Sequence, residues 1–331
     1  MSSPRVLVTG ALGVNGVWVL RELLNRGATP IASDVRDDLA LAPELAGLVE
    51  ICRLDVTDLE AVRSILAEQR PQTVVHLAAM LPGQAQQDPF RGFELNVMAT
   101  ANLLQASREA GIERLVFSSS KGAYGAIEGE HAAPQYRPLP ETACSRPVTV
   151  YDYAKVACEG LGTNYAETGG PDFAAIRFST IYGPGKLERH GPMSQVSQVV
   201  EDAVAGRKTR FERGADQRDD MVYVRDVGAS LAVLALAGKP FPNRVYNVGS
   251  GRGVSMAELA DVVRDTIPGA DIEIGAGLDP MGFGVPYYCV MDVARIKEDF
   301  GFEPGFQIEE GVADYAANLR ELAVAGEEVA E

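Results

Sequence analysis

The chain has 331 residues, of which 46 are Asp or Glu and 30 are Lys or Arg, so its formal charge is −16. This acidic balance excludes nucleic acid as a main partner, because a phosphate backbone is bound by clustered Lys and Arg. Hydrophobic residues make up 46% of the chain, a fraction typical of a folded globular protein rather than a disordered one.

The termini and the cysteines indicate a cytoplasmic protein. The longest apolar run, Gly228–Gly238, is shorter than the roughly 18 residues that span a bilayer, so no membrane partner is expected. Arg5–Thr9 (RVLVT) is predicted as a first strand and leaves no room for a signal peptide. The 4 cysteines form no CxxC pair and have no His at metal-ligand spacing, which indicates reduced packing thiols and no metal site.

Short β-branched runs alternate with longer amphipathic stretches over the first 180 residues. The predicted strands are Arg5–Thr9, Pro30–Asp34, Val49–Leu54, Thr73–Leu77, Arg114–Ser118 and Phe173–Phe178. The predicted helices between them include Gly16–Asn25, Asp58–Gln69, Asn96–Ala110 and Tyr151–Thr168. This alternation predicts crossover units and an α/β fold with a Rossmann-like, doubly wound parallel sheet.

The regular alternation of strands and helices ends after Tyr182, where Gly183, Pro184 and Gly185 interrupt it. Later helices are predicted near 192–206, 255–267 and 308–322. We therefore expect a cofactor-binding domain over residues 1–180, with a return segment near 226–249, and a smaller α/β substrate domain over 181–331. The second domain is expected to cover the carboxyl ends of the sheet, where ligands of open α/β sheets bind.

Three glycines, Gly10, Gly13 and Gly16, follow the first predicted strand and open a helix. Their spacing permits a tight turn, close approach of the backbone to a pyrophosphate, and free helix N-terminal amides for the anion. Asp34 ends the second strand, and a carboxylate there accepts the adenosine ribose hydroxyls, which favours NAD over NADP. Arg36 lies two residues further along and would instead suit a 2′-phosphate, so NADP remains the alternative cofactor. Asp55, after the third strand, either contacts the cofactor or caps the next helix.

Tyr151 and Lys155 lie four residues apart, hence on one face of a predicted helix. Such pairs are commonly surface residues, but Ser118, Ser119 and Ser120 follow the fifth strand beside the expected nicotinamide site. A neighbouring ammonium and an oxidised nicotinamide both favour the phenolate of a tyrosine. A serine hydroxyl can hold the substrate oxygen, and this set is what hydride transfer between an alcohol and a nicotinamide requires.

Together these motifs resemble the extended short-chain dehydrogenases/reductases of the NAD-dependent epimerase/dehydratase family. The matching stretches, which keep the family order over nearly the whole chain, are TGALGVNG (9–16), Asp34, LDVTD (54–58), HLAA (76–79), Asn96, FSSSKGAYG (117–125), YDYAK (151–155), RFSTIYGPG (177–185), QRDDMVYVRDV (217–227) and YNVGSG (246–251).

The resemblance implies roles for individual residues. Ser120, four residues before Tyr124, would be catalytic with Tyr151 and Lys155. It also implies a homodimer, built through helices near 96–110 and 151–168. The implied NAD contacts are Gly10, Leu12, Gly13, Val14, Asp34, Asp55, Val56, Leu77, Ala78, Ala79, Asn96, Ser118, Tyr151, Lys155 and Phe178. The expected substrate contacts are Met80, Ser120, Lys121, Thr180 and Arg218.

Departures from the family pattern bear on the reaction. Dehydratases of the family carry Asp-Glu directly after the catalytic Thr, where this chain has Lys121 and Gly122, so dehydration is disfavoured. Lys121 would either face a substrate carboxylate or be exposed to solvent at the edge of its loop. Thr180 stands where sugar-nucleotide epimerases usually have Asn, which weakens one contact on the diphosphate side.

Arg218 matches a family arginine that often binds the substrate diphosphate. Alternatively, Arg218 forms a structural ion pair with Asp219 or Asp220. Met80, Leu81 and Pro82 are expected to line the pocket because they follow the fourth strand. His190, in a loop over the predicted cleft, either touches substrate or is a mobile surface histidine, and the second interpretation is favoured. Residues 177–225 hold nine Lys or Arg against seven Asp or Glu, a locally basic stretch suited to an anionic ligand.

The leading hypothesis is an NAD-dependent epimerase of a sugar derivative, most plausibly a nucleotide sugar, acting through transient hydride transfer and a keto intermediate. The alternative is a net dehydrogenase of a non-nucleotide sugar acid or hydroxy acid. A third hypothesis is a binding protein that senses NAD without turnover. Retention of both Tyr151 and Lys155 disfavours it.

Overall fold

The computed structural model describes residues 3–330, apart from the side chains of residue 192 and residues 322–330. Its strands are β1 (Arg5–Thr9), β2 (Thr29–Asp34), β3 (Glu50–Arg53), β4 (Thr73–His76), β5 (Arg114–Ser118), β6 (Asp172–Phe178), β7 (Thr180–Tyr182), β8 (Thr209–Phe211), β9 (Arg218–Tyr223), β10 (Val245–Val248), β11 (Gly253–Ser255) and β12 (Ile272–Ile274). Its α-helices are α1 (Val14–Asn25), α2 (Leu59–Gln69), α3 (Pro82–Gln87), α4 (Pro89–Phe93), α5 (Ala99–Ala110), α6 (Val150–Glu167), α7 (Lys186–His190), α8 (Gln195–Val204), α9 (Val224–Ala235), α10 (Met256–Thr266), α11 (Ala294–Phe300) and α12 (Ile308–Ala330).

Seven strands form a central sheet in the order β10-β6-β5-β4-β1-β2-β3. All of its neighbouring strands are parallel, and the strands at its centre are apolar and buried, as expected for a sheet covered by helices on both faces. The predicted Rossmann-like, doubly wound sheet is confirmed. The strand order reverses between β1 and β4, which is where such a sheet opens a ligand cleft at its carboxyl edge.

Side-chain caps fix the first turns of α2, α6 and α10. The Asp58 carboxylate accepts hydrogen bonds from two amides at the start of α2. At the start of α6, Thr149 and Asp152 form a reciprocal capping box, and Ser255 and Glu258 form another at α10. Each box satisfies amides that would otherwise lack partners, and the first one fixes the turn of α6 that carries Tyr151.

The second half of the chain builds two small sheets, β11-β9-β7 and β12-β8. It also returns to the central sheet, because α9 packs on α1 and β10 pairs with β6. A Cβ at Gly228 of α9 would lie 2.7 Å from the Trp18 backbone, so this helix contact requires glycine. The division of the chain near residue 180 stays a prediction. Among the described residues, no helix combines the length and the apolar character needed to cross a membrane.

Candidate active site

Tyr151 and Lys155 project from the first turns of α6 toward the carboxyl end of β5. The Lys155 ammonium donates a hydrogen bond of 2.6 Å to the Ser118 carbonyl and lies 5.2 Å from the centre of the Tyr151 ring. The Ser120 side chain lies close enough to the Tyr151 phenol to affect its pKa, and its hydroxyl accepts a hydrogen bond from the Gly122 amide at 3.0 Å. The structure therefore brings together the three residues that were expected to be catalytic.

Burial governs the protonation of this cluster. It raises the pKa of the Tyr151 phenol above its ordinary value, and the neighbouring Ser120 side chain opposes that rise. Burial also lowers the pKa of Lys155 to about 8. The Lys155 ammonium binds the neutral Ser118 carbonyl and keeps its charge 5.2 Å from the centre of the Tyr151 ring. That it lowers the phenol pKa, together with an oxidised nicotinamide, stays a prediction.

A cavity of about 800 Å³ runs along the carboxyl edge of the sheet, from Asp34 to Tyr151. Gly10 has a φ of +66°, and a Cβ there would lie 2.8 Å from the Ala78 amide nitrogen. A Cβ at Gly16 would lie 2.4 Å from the Gly10 carbonyl oxygen. Both positions therefore require glycine. Helix α1 begins at Val14 without a side-chain cap, which leaves its first amides free for an anion.

Buried polar atoms along this cavity fit a bound polar ligand. Asn15 Oδ1, Ser33 Oγ and Ser179 Oγ are buried and have no hydrogen-bond partner among the described residues. All three residues line the cavity. Because buried polar groups normally find partners, these atoms and the glycine turn together suit a dinucleotide that extends from Asp34 toward Tyr151.

Asp34 lies at the end of this cavity where the adenosine ribose is expected. Its carboxylate accepts hydrogen bonds from the Leu12 amide at 3.1 Å and the Arg36 amide at 3.2 Å. The Arg36 guanidinium lies 3.6 Å away and also lines the cavity. The carboxylate is thus fixed in place, with a cation beside it.

We expect Asp34→Asn to weaken NAD⁺ binding about tenfold and to narrow the preference for NAD⁺ over NADP⁺. The amide loses a charged acceptor for the ribose hydroxyls and no longer repels a 2′-phosphate. Isothermal titration with both nucleotides measures this, and Asp37→Asn, an exposed neighbour, is the matched control. Unchanged affinities in Asp34→Asn would contradict the assignment.

Most of the expected cofactor contacts line the cavity. They are Gly10, Gly13, Val14, Asp34, Asp55, Val56, Leu77, Ala78, Ala79, Ser118, Tyr151, Lys155 and Phe178. Asp55 accepts hydrogen bonds from Thr57, which lower the pKa of its carboxyl group. The capping role belongs to Asp58.

Two expected cofactor contacts do not line the cavity. Leu12 is buried, and its backbone binds Asp34 and Arg36 instead. The Asn96 side chain accepts a hydrogen bond from the Met80 amide at 2.7 Å and donates one to the Met80 carbonyl at 3.0 Å. Asn96 therefore fixes the loop after β4. Of the three residues expected to line the pocket after β4, Leu81 and Pro82 line the cavity and Met80 does not.

A second cavity of about 400 Å³ adjoins the first at Ser120, Lys121, Tyr151 and Thr180. Its walls are mainly apolar and aromatic, and they are formed by residues that include Met221, Met256, Met281, Phe283, Tyr287 and Tyr288. Tyr151 thus stands where the two cavities meet, within reach of a ligand in either one.

Lys121 lines both cavities, but its charge is already paired. Its ammonium lies 2.7 and 2.5 Å from the two carboxylate oxygens of Asp219, and both side chains are largely buried. Thr180 donates a hydrogen bond to the same carboxylate. The expectation that Lys121 faces a substrate carboxylate is therefore not favoured, because Asp219 supplies that carboxylate from within the chain.

Arg218 lines neither cavity. Its guanidinium donates two hydrogen bonds to the Glu258 carboxylate, the closer at 2.6 Å, and one to the Gly253 carbonyl at 2.8 Å. The expectation that it binds substrate is corrected, since it joins β9 to the capping box of α10. The alternative pairing with Asp219 or Asp220 is also wrong, since Glu258 is the partner.

Helix α7 contributes cavity residues that the sequence motifs did not identify. Lys186, Arg189 and His190 all line the larger cavity. His190 is therefore not a plain surface residue, and burial lowers its pKa to about 3. For Lys186 and Arg189, the indication in the sequence of a role in ligand binding was the basic character of residues 177–225.

Comparisons with known proteins agree with this geometry. Residues 6–249 match the model of the NAD-dependent epimerase/dehydratase family. The chain is 29% identical over 315 residues to the UDP-glucose 4-epimerase of Mycolicibacterium smegmatis, covering 93% of this chain and 96% of that protein.

Two solved structures share the whole fold. A UDP-glucose 4-epimerase from Thermotoga maritima with UDP-glucose aligns with a TM-score of 0.83 and 27% identity, over 96% of this chain and 99% of that one. A UDP-glucose 4-epimerase from Thermus thermophilus in complex with NAD aligns with a TM-score of 0.79 and 28% identity, over the same shares of the two chains.

Proposed function

This chain belongs to the NAD-dependent epimerase/dehydratase family, and from that premise we propose that it epimerises a sugar derivative, with a nucleotide sugar as its substrate. It is an NAD-dependent enzyme of the extended short-chain dehydrogenase type. The observation that carries the proposal is that Ser120 and Tyr151 line both cavities, with Lys155 beside them in the larger one.

NAD, when bound, supplies a hydride acceptor that can return the hydride to the same carbon. The Tyr151 oxygen takes the proton of the substrate hydroxyl and later gives it back, as a general base and then a general acid. The Ser120 hydroxyl donates a hydrogen bond to the oxygen of the resulting ketone. Inversion follows if the ketone presents its other face before it is reduced, and this requires room in the adjoining cavity.

Lys155 would hold the nicotinamide ribose and keep a positive charge near Tyr151. Dehydration is disfavoured because Lys121 and Gly122 replace the acidic pair of the dehydratases. The Lys121 ammonium cannot remove a proton while it is protonated and bound to Asp219. Retention of Tyr151 and Lys155 in a shared site also disfavours a binding protein without turnover.

A second candidate is a net dehydrogenase of a non-nucleotide substrate. Two observations favour it: Arg218 is bound to Glu258, and the second cavity is lined mainly by apolar and aromatic side chains. Burying a charged diphosphate in such a cavity would be costly unless cations or hydrogen-bond donors compensate it.

A panel of nucleotide sugars, free sugar acids and hydroxy acids separates the two candidates. For an epimerase we expect an inverted nucleotide sugar among the products, with no NADH absorbance beyond the amount of enzyme. Absorbance that grows over many turnovers with a non-nucleotide substrate would instead establish the dehydrogenase. No turnover of any nucleotide sugar would contradict the leading proposal.

We also propose a homodimer through the face formed by α4, α5 and α6. Phe90 is 82% exposed and Tyr153 is 55% exposed there, and Phe93, Met98 and Val148 are exposed beside them. Exposed apolar groups clustered in this way mark contact surfaces. Sedimentation equilibrium should give about twice the chain mass of 35.3 kDa; a monomer at micromolar concentration would contradict this.

A further inference from the structure

Lys186 is a buried lysine whose ammonium group has no hydrogen-bond or ion-pair partner among the described residues. Its side chain is only 3% exposed, yet it lines the larger cavity. No hydrogen bond or ion pair joins its ammonium to any of the described residues, and burial lowers its pKa to about 7. The other two lysines of the site differ, since Lys155 binds the Ser118 carbonyl and Lys121 binds Asp219.

Arg189 lies one helical turn further along α7 and also lines this cavity. Its Nε is buried without a hydrogen-bond partner, and the nearest carboxylate oxygen, from Glu188, is 3.7 Å away. Two basic side chains on one short helix therefore line the cavity, Lys186 with no ion pair among the described residues and Arg189 with only the partly exposed pair to Glu188. Buried charges are normally paired, because an unpaired charge loses its hydration without compensation.

The position of α7 indicates which anion would compensate these charges. Gly185, which directly precedes Lys186, lies against the glycine turn, since a Cβ there would be 3.5 Å from Val14 Cγ2. The free amides of α1 begin at Val14. The start of α7 thus lies next to the start of α1, and Lys186 and Val14 line the same cavity, an arrangement that suits a diphosphate.

We propose that Lys186, assisted by Arg189, binds a diphosphate group in the cleft and supplies the cationic contact that Arg218 does not. The diphosphate can belong to NAD or to a nucleotide substrate. The NAD source requires only the cofactor cavity, whereas the substrate source rests on the proposed function. Tight binding of a diphosphate here would also offset the cost of keeping the Lys186 charge buried.

The experiment uses Lys186→Met and Lys186→Gln in isothermal titrations. NAD⁺ is titrated into nucleotide-free protein, and UDP is titrated into NAD-saturated protein. We expect at least a tenfold increase in Kd for the ligand whose diphosphate contacts Lys186, since a charge-assisted contact is lost. Weaker NAD⁺ binding assigns the cofactor diphosphate, weaker UDP binding assigns the substrate diphosphate, and weakening of both assigns contacts to both.

Thermal unfolding without nucleotide distinguishes ligand binding from a structural role. If Lys186 is retained for a ligand, removing its unpaired buried charge should leave the unfolding midpoint unchanged or raise it. Lys239→Met, at an exposed lysine, is the control for both measurements.

Two results would overturn the proposal. One is that both Kd values stay within twofold of the unmodified protein. The other is that weakened binding comes with a lower unfolding midpoint in both Lys186 variants. Neither measurement depends on turnover, so failure of the proposed epimerase activity would be recognised separately in the substrate panel.

Discussion

Tyr151→Phe is expected to lower kcat about a thousandfold while leaving the Kd for NAD⁺ within a fewfold of its original value. The substitution removes only the phenol oxygen, the group placed to take and return the substrate proton, and general acid–base catalysis contributes roughly 10²–10⁴ in rate. The ring and its packing on α6 remain. Steady-state kinetics on the substrate identified by the panel, with titration of NAD⁺, measures both quantities.

Tyr153→Phe is the matched control for this variant. Tyr153 lies two residues along the same helix, but its side chain is exposed and lines neither cavity. It should keep kcat within about twofold if it has no role in catalysis. Retention of a tenth or more of the activity by Tyr151→Phe would show that another group moves the proton.

Arg177→Met should destabilise the fold by roughly 3–5 kcal/mol, the usual cost of leaving one member of a buried ion pair alone. The Arg177 guanidinium donates hydrogen bonds of 2.9 and 2.6 Å to the two carboxylate oxygens of Glu159, and each side chain is only 7% exposed. Ser119 donates to the same carboxylate. Urea unfolding followed by circular dichroism gives the difference in free energy of unfolding.

The Arg177→Met/Glu159→Gln double variant should regain part of that loss, because it no longer leaves an unpaired buried carboxylate. Arg137→Met is the surface control. It breaks the pair with Glu130, in which the side chains are 67% and 55% exposed, and it should cost less than about 1 kcal/mol. Equal losses in the free energy of unfolding for Arg177→Met and Arg137→Met would contradict this account of the buried ion pair.

The backbone of the cofactor site could be predicted from the sequence because its determinants are local. Strands β1 and β5 have the predicted bounds, and β4 differs from its prediction by one residue. Gly10 and Gly16 are required by contacts that the turn itself creates. Periodicity and spacing within one strand–turn–helix unit contain that information.

The directions of long side chains could not be predicted in the same way. Arg218 points to Glu258, forty residues later, and Lys121 points to Asp219, nearly a hundred residues later. Both partners are set by the packing of the second half of the chain, which no local pattern reports. Asn96 similarly binds the Met80 backbone across the gap between two elements.

The substrate region was the least predictable part for the same reason. The walls of the two cavities come in part from α3, α7, α8 and the 280–288 segment. These pieces are distant in sequence and meet only in the folded chain. The basic composition of 177–225 indicated an anionic ligand, but it did not separate Lys186 in the cavity from Arg218 outside it.

Deuterium at the inverted carbon tests the proposed reversible oxidation most directly. The nucleotide sugar that the panel identifies is labelled at that carbon, incubated with the NAD-saturated enzyme, and its epimer is analysed by mass spectrometry. We predict that the epimer keeps the deuterium, because the same hydride is returned within the closed site. Loss of the label to solvent, or to free reduced nicotinamide that accumulates with turnover, would contradict the account.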